Sequence, residues 1–372
     1  MPELNLEPYI SVLPNVLYAF FLGLILTPIL RMIGLRFGFS TKPASQSKPD
    51  ERGNNVKLHT VTISRLGEFA MLIPLFLFMW RDLNFDSPQI FGIVLSILMV
   101  AIVGALDSKY NLSEFVKLFV LFFASIILIF TGTVINFHSI LDLSSFDLYI
   151  NNPLTRTQLS LMSAFITLAW ICVVSTAVSY VGGVDGLSEG TSAIAIMILT
   201  LIGIRNGDIL TIVIGTLCFG GLLGLLPYNF YPKSIMSEHL IYGFVIAILA
   251  IISQGKIATS ILILTIPLID FIYVVYNRSE RYFKEKTSRF SIRLYLHALG
   301  TPEKNHLHHK MLQLGLNHPQ IALIQYGMYA ILGFVALVVS GLYLTLAILG
   351  SVAIVVLIFY YIGRKLKYNA RK

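Results

Sequence analysis

The sequence predicts an all-α fold, a polytopic transmembrane helical bundle of about eleven spans with the N-terminus outside and the C-terminus cytoplasmic. Three observations lead there. Hydrophobic residues make up 56% of the 372 residues and charged residues only 12%, against roughly 25% charged in a soluble domain. Uncharged apolar runs recur along nearly the whole chain, and a helix needs roughly 20 such residues to cross the hydrocarbon. The Lys and Arg residues gather in a few segments between those runs, as they do in cytoplasmic loops.

In chain order the apolar runs place spans at Ser11 to Ile33, Thr62 to Trp80, Ser87 to Leu106, Ser113 to Ile135, Thr157 to Val178 and Leu187 to Ile204. Further spans follow at Asp208 to Leu226, Leu240 to Ser253, Ile257 to Tyr276, Gln320 to Ser340 and Leu342 to Gly363. The second is bordered by Arg65, Glu68 and Arg81 and the sixth is short, so each can be tilted or partly re-entrant. Glu3 and Glu7 precede the first run and no basic residue comes before Arg31. That is unlike the positive start of a cleaved secretory signal, so the first run is expected to be a retained span.

Orientation follows from the cations. Arg36, Lys42, Lys48, Arg52, Lys57 and Arg65 lie around the first loop, and Arg278, Arg281, Lys284, Lys286, Arg289, Arg293, Lys304 and Lys310 after the ninth span. The tail carries Arg364, Lys365, Lys367, Arg371 and Lys372. Retention of Lys and Arg near span ends puts these three segments on one side, the cytoplasmic one. The chain then reads as a single membrane domain, residues 1–372, with cytoplasmic loops near 34–61, 107–112, 179–187, 227–239 and 277–319. A plasma (inner) membrane location with a cytoplasmic active face is the matching expectation. Cys172 and Cys218 fall inside apolar runs and suggest neither a disulfide framework nor a metal site. The net charge of +8 sits in short loops without a basic, aromatic-interleaved soluble module, so topology explains it and no nucleic-acid partner is expected.

Candidate chemistry gathers on that face. His306, His308 and His309 stand within four residues of a basic loop. Imidazoles there can meet phosphate or a metal, although a solvated polar loop explains them as well. Asp107 ends an apolar run, and Asp185 lies in Gly182, Gly183, Val184, Asp185, Gly186. Carboxylates at such a boundary can hold Mg²⁺ against a diphosphate; span ends also tolerate acids with no role. Asp270 lies inside the ninth run, where an ionisable group is expensive, and marks function or a buried pair. Pro227 to Pro232 are expected to end the seventh span in a rigid aromatic turn.

Taken in order, these segments resemble the polyprenyl-phosphate N-acetylhexosamine-1-phosphate transferase family, glycosyltransferase family 4, and within it the undecaprenyl-phosphate GlcNAc-1-phosphate transferase branch. The resemblance rests on KLH at Lys57 to His59 with SRLG at Ser64 to Gly67, GALDSKYNLS at Gly104 to Ser113, and VDGLSEG at Val184 to Gly190. It continues through LLPYNFYP at Leu225 to Pro232, PLIDFIYVVYNR at Pro267 to Arg278, and HLHHKMLQLGLNH at His306 to His318. It implies ten or eleven spans and transfer of an N-acetylhexosamine 1-phosphate from a UDP-sugar to polyprenyl (undecaprenyl) phosphate, with release of UMP. That reaction would open a cell-envelope glycan pathway.

The resemblance further implies Mg²⁺ as cofactor, with Mn²⁺ as its substitute, and a homodimer among the possible partners. Asp107, Asp185, His306, His308 and His309 are then the catalytic candidates. His59, Arg65, Lys117, Asn229 and Asp270 are candidates for substrate binding, and Asp185 and Glu238 for the metal. The chain departs from the family pattern at several acids. Ser108 follows Asp107 where the family has a second aspartate. Thr176, Ser179 and Gly182 replace two asparagines and an aspartate, and Met236 to Leu240 read MSEHL. Each change removes an oxygen ligand or a hydrogen bond, which sets a second expectation beside the enzyme: a catalytically silent homologue that binds lipid phosphate or scaffolds envelope assembly. A secondary transporter fits less well, because the polar groups gather at one face and not at the midplane.

Overall fold

A computed structural model describes residues 7–41, 62–82, 87–136, 147–232, 235–237, 239–253, 257–285 and 305–369. It is an all-α membrane protein. The first helices are α1 (Glu7–Ser11), α2 (Leu13–Phe37), α3 (Glu68–Asp82), α4 (Pro88–Tyr110) and α5 (Glu114–Phe130). They are followed by α6 (Leu161–Ser179), α7 (Leu187–Asn206), α8 (Ile209–Asn229) and α9 (Leu240–Ile252). The chain ends with α10 (Ile257–Ile263), α11 (Thr265–Glu285), α12 (Leu307–Gln313), α13 (His318–Val338) and α14 (Gly341–Asn369).

Local chemistry sets many of these ends. Pro14 and Pro88 sit in the first turns of α2 and α4, where a missing N–H costs nothing. Ser160 and Asp208 accept the Ser163 and Thr211 amides at the starts of α6 and α8, and Asn317 with Gln320 closes a reciprocal cap on α13. Gly38 and Gly207, at φ 78° and 69°, end α2 and α7 in the left-handed region, which costs a glycine little.

Seven helices are long and apolar enough to cross a membrane by themselves, or eight if α10 and α11 form one bent span. That is fewer than the eleven expected. α3, α5 and α9 are apolar helices of 15, 17 and 13 residues, short of the length a lone crossing needs. The second predicted span begins late: Ile63–Ser64 (β2) pair antiparallel with Ser40–Thr41 (β1), so α3 starts only at Glu68. The fifth also starts late, because Gln158–Ser160 (β4) pair with Tyr149–Asn151 (β3) in a hairpin. At the seventh, Pro227 lies inside α8 and the helix runs on to Asn229; the Phe230 amide still reaches the Leu226 carbonyl at 2.8 Å. The ninth bends by 76° between α10 and α11. Pro267, four residues after Ile263, can donate no amide to the Ile263 carbonyl.

The interior is built from α7, α8 and α9. The span windows of α7 and α8 are 78% and 67% buried, against 22% for both α2 and α14. α9 is buried along almost its whole length, so its shortness leaves no apolar surface stranded. Hydrocarbon does not drive one apolar helix onto another, so close backbone packing has to. Gly220 and Gly224 of α8 supply it: a Cβ on either would overlap a carbonyl of α2, that of Val16 or of Phe20. Gly243 of α9 stands as close to Ser175 of α6. Large side chains such as Phe119, Phe334 and Leu357 face outward, as a lipid-facing surface requires. The polar side chains discussed next come from the end of α4, the starts of α5 and α7, the end of α8, the start of α9, α11 and the short α12.

Candidate active site

Asp107, near the end of α4, is 3% exposed. Lys117 Nζ lies 2.9 Å from its Oδ2 and Arg65 reaches the same oxygen at 3.4 Å. Ser108 does not add an acid; its hydroxyl donates to the Arg65 carbonyl at 3.2 Å and so fixes the residue that carries one of the two cations. The Arg65 segment is further stitched to 235–237, since the Met236 amide donates to Ser64 and the Gly67 amide to Met236. The result is a carboxylate with two basic groups on one oxygen, a frame that presents cations toward an anion.

The histidine segment is held from α11. Asp270 Oδ2 lies 2.7 Å from His306 Nδ1, and its Oδ1 accepts the Leu307 amide at 2.8 Å. One buried acid thereby fixes the ring and the first turn of α12, which explains why an expensive carboxylate sits in an apolar helix. The rings of His306 and His308 stack 5.6 Å apart, and those of His308 and His309 are 4.3 Å apart. All three are buried. Burial first, then the imidazoles of His309, His306, His239 and His318, hold His308 well below the usual imidazole range. It is therefore neutral in the folded chain, and its Nε2 has no hydrogen-bond partner among the described residues.

The turn from Tyr180 to Gly186 passes directly beneath these rings. Gly183 lies against His308 Nε2, and Gly182 against the ring of His239. Gly186, at φ 75°, starts α7, and the Tyr326 hydroxyl donates to its carbonyl. Asp185 Oδ2 is 3.3 Å from His318 Nδ1. Asn229 closes α8 at 1% exposure, and its Oδ1 has no hydrogen-bond partner among the described residues; the neighbouring Phe230 packs on Gly186. Asp185, Asp270, Asn229, His306, His308 and His309 are thus brought together. Tyr180 ties this group to the Asp107 frame, because its ring packs 5.0 Å from His306 while its hydroxyl feels the charges of Arg278, Glu114 and Lys117. His59 and Glu238 lie outside the described residues.

Three participants, Arg278, Lys310 and His318, were not singled out in the sequence, and a fourth, His239, stood there only beside Glu238 without a role of its own. Arg278 is 3% exposed, stacks over Tyr180 at 5.3 Å and donates to its hydroxyl at 3.2 Å; it had counted only as loop charge. Lys310 sits 3.9 Å over the Tyr273 ring and donates to the Tyr273 hydroxyl at 2.7 Å. His318 pairs with Asp185, and His239 stands 3.6 Å from buried Glu189. The spacing of His318 from the HLHH run was the one available signal.

The donor set decides what the described residues offer a divalent cation. Asp107, Asp185, Glu189 and Asp270 each already face a Lys, Arg or His within 3.6 Å. Among the described residues no group of three or more His, Cys, Asp or Glu is arranged to hold a metal ion. These residues do not fit a carboxylate-built Mg²⁺ site. What they form is a cluster of cations and imidazoles, groups whose chemistry suits phosphate.

Residues 90–254 match the model of glycosyl transferase family 4. The chain is 25% identical over 321 residues to the "probable undecaprenyl-phosphate N-acetylglucosaminyl 1-phosphate transferase" of Bacillus subtilis (strain 168), covering 84% of this chain and 79% of that protein. It is 26% identical over 200 residues to the decaprenyl-phosphate N-acetylglucosaminephosphotransferase of Mycobacterium tuberculosis (strain H37Rv), which covers 46% of each. With the undecaprenyl-phosphate alpha-N-acetylglucosaminyl 1-phosphate transferase of Escherichia coli (strain K12) it shares 24% identity over 238 residues, 60% of this chain and 58% of the other.

Proposed function

We propose that the chain, whose residues 90–254 match the glycosyl transferase family 4 model, is a member of that family and transfers N-acetylglucosamine 1-phosphate, or a close N-acetylhexosamine analogue, from a UDP-sugar to a polyprenyl phosphate. An oxygen of the lipid phosphate attacks the β-phosphorus of the donor. The bond from that phosphorus to the oxygen bridging it to the α-phosphorus breaks, and UMP leaves with the electron pair. Neither reactant brings a group that needs covalent help from the protein, so the work is to hold two anions in line and to screen their charge.

One observation carries this reading. Asp270 holds the His306 ring and the Leu307 amide, His308 lies against Gly183, and Tyr180 packs on His306 while its hydroxyl feels Lys117, one of the two cations on Asp107. In this arrangement Lys117 and Arg65 take the lipid phosphate, Asp107 holds them in place, and His308 and His309 meet the donor. Asn229, with a buried carbonyl oxygen that nothing else engages, is suited to an N–H or O–H of the donor. The positive loops put the cluster on the cytoplasmic side, where the nucleotide is. On this view the eleven helical units that remain among the described residues when the short α1 and α12 are set aside and the bent pair is counted once each cross or dip into the bilayer.

The test is direct: the chain in lipid nanodiscs with undecaprenyl phosphate and radiolabelled UDP-N-acetylglucosamine. Labelled lipid and UMP in equal amounts are expected. No turnover with any UDP-N-acetylhexosamine would return the chain to the silent, lipid-binding reading.

A further inference from the structure

Position 182 is a glycine covered by an imidazole. A Cβ added there would overlap Cδ2 and Nε2 of His239, and one added at Gly183 would overlap Nε2 of His308. No side chain fits at either residue unless a ring moves. Where the resemblance implies a carboxylate, at 182, this chain has a glycine covered by a ring that arrives from the start of α9. The ring stands beside Glu189, 1% exposed in the first turn of α7, whose Oε1 lies 3.6 Å from His239 Nδ1, ion-pair distance but longer than a hydrogen bond. The Cδ2–Nε2 edge of the imidazole faces Gly182. On the other side of that step stands His308 Nε2, 3% exposed as a residue and without a hydrogen-bond partner among the described residues.

We propose that His239, backed by Glu189, contacts phosphate in this site, and that it and His308 grip the donor diphosphate across the Gly182–Gly183 step without a carboxylate-held divalent cation. This rests on the donor assigned above. An imidazole nitrogen and a phosphate oxygen share one proton whichever partner supplies it, so Nε2 is a competent contact. Among the described residues Asp107, Asp185 and Asp270 do not offer the alternative, because each is engaged by a basic group.

The probe is UDP, bound to the full chain in nanodiscs and followed by calorimetry in EDTA and in excess Mg²⁺. Equal affinity in the two buffers, within about threefold, is the expected result, and His239→Ala should weaken binding about tenfold or more in both, the loss of one charge-assisted hydrogen bond. His239→Gln keeps a nitrogen donor on a side chain of similar reach and should recover most of the affinity. In Gly182→Asp/His239→Ala the acid returns to the emptied space, and binding should become dependent on Mg²⁺. UDP binding that needs Mg²⁺ in the parent chain, absence of UDP binding in both buffers, or a His239→Ala variant that binds like the parent overturns the proposal. Should His239→Ala lose its cooperative melt, the comparison of EDTA with Mg²⁺ on the parent chain decides alone. UDP binding in EDTA without UMP release from any donor removes the transferase reading and leaves this one standing; UMP release with strictly Mg²⁺-dependent UDP binding does the reverse.

Discussion

Asp270 holds His306 by two routes at once: its Oδ2 lies 2.7 Å from the imidazole Nδ1, and its Oδ1 accepts the amide of the next residue, Leu307, at 2.8 Å. Ring and backbone are therefore fixed by one carboxylate on a different helix. Asp270→Asn keeps an acceptor for the Leu307 amide but gives up the charged partner of the ring. Turnover should fall about 10- to 100-fold, the loss of one charge-assisted hydrogen bond, with the KM for the donor nearly unchanged. UMP release measured against donor concentration checks this, and a variant with normal turnover would make Asp270 merely structural.

The Asp107 frame predicts strong coupling. With two cations on one buried oxygen, removing the acid takes from both bases a shared partner, while Lys117 keeps Glu114 at 3.3 Å, so the cost is about 1–3 kcal/mol, below that of a fully buried pair. Asp107→Asn should thus melt well below the parent protein. Adding Lys117→Met to Asp107→Asn should cost less than the sum of the two single changes. A double-mutant cycle by thermal melting in detergent reads the difference, and simple additivity would mean that Lys117 does not hold Asp107.

The close approach of α2 and α8 makes a prediction about the bundle itself. Gly224 lies where a Cβ would overlap the Phe20 carbonyl of α2, a backbone atom that cannot swing aside. Gly224→Ala should cost about 1–3 kcal/mol through overpacking, seen as a lower melting temperature in detergent. Gly350, with nothing within 4 Å of an added Cβ, is the control, and Gly350→Ala should leave the melt unchanged.

How much of this was legible in the chain follows from the range of each interaction. Runs of apolar residues announce membrane helices locally, and each predicted span corresponds to a helix. The price of a charge in an apolar run singled out Asp270, and adjacency exposed His306, His308 and His309. The bend before α11 was missed although Pro267 stood in view, because its effect falls on the carbonyl four residues earlier. Glu189 and His239 were missed because neither sits in a local pattern that demands a partner; they meet only because α7 and α9 pack side by side. Arg278 was hidden by company: among eight basic residues of one loop, nothing marks the one whose guanidinium is covered by Tyr180.

His308 gives the pH dependence its sign. Burial and four neighbouring imidazoles keep it neutral in the folded chain, while an exposed imidazole takes up a proton near pH 6.5. The opened segment therefore binds more protons than the closed one below that pH, and stability must fall as the pH falls. It is fully present above about pH 6.5 and declines progressively below it. Hydrogen exchange over residues 305–316 is expected to lose protection between pH 7 and pH 5 while the core of α7 and α8 keeps its own. His308→Gln removes the titrating ring and should flatten the dependence. Protection in the parent chain that stays constant, or rises, on acidification would mean that His308 is already charged when folded.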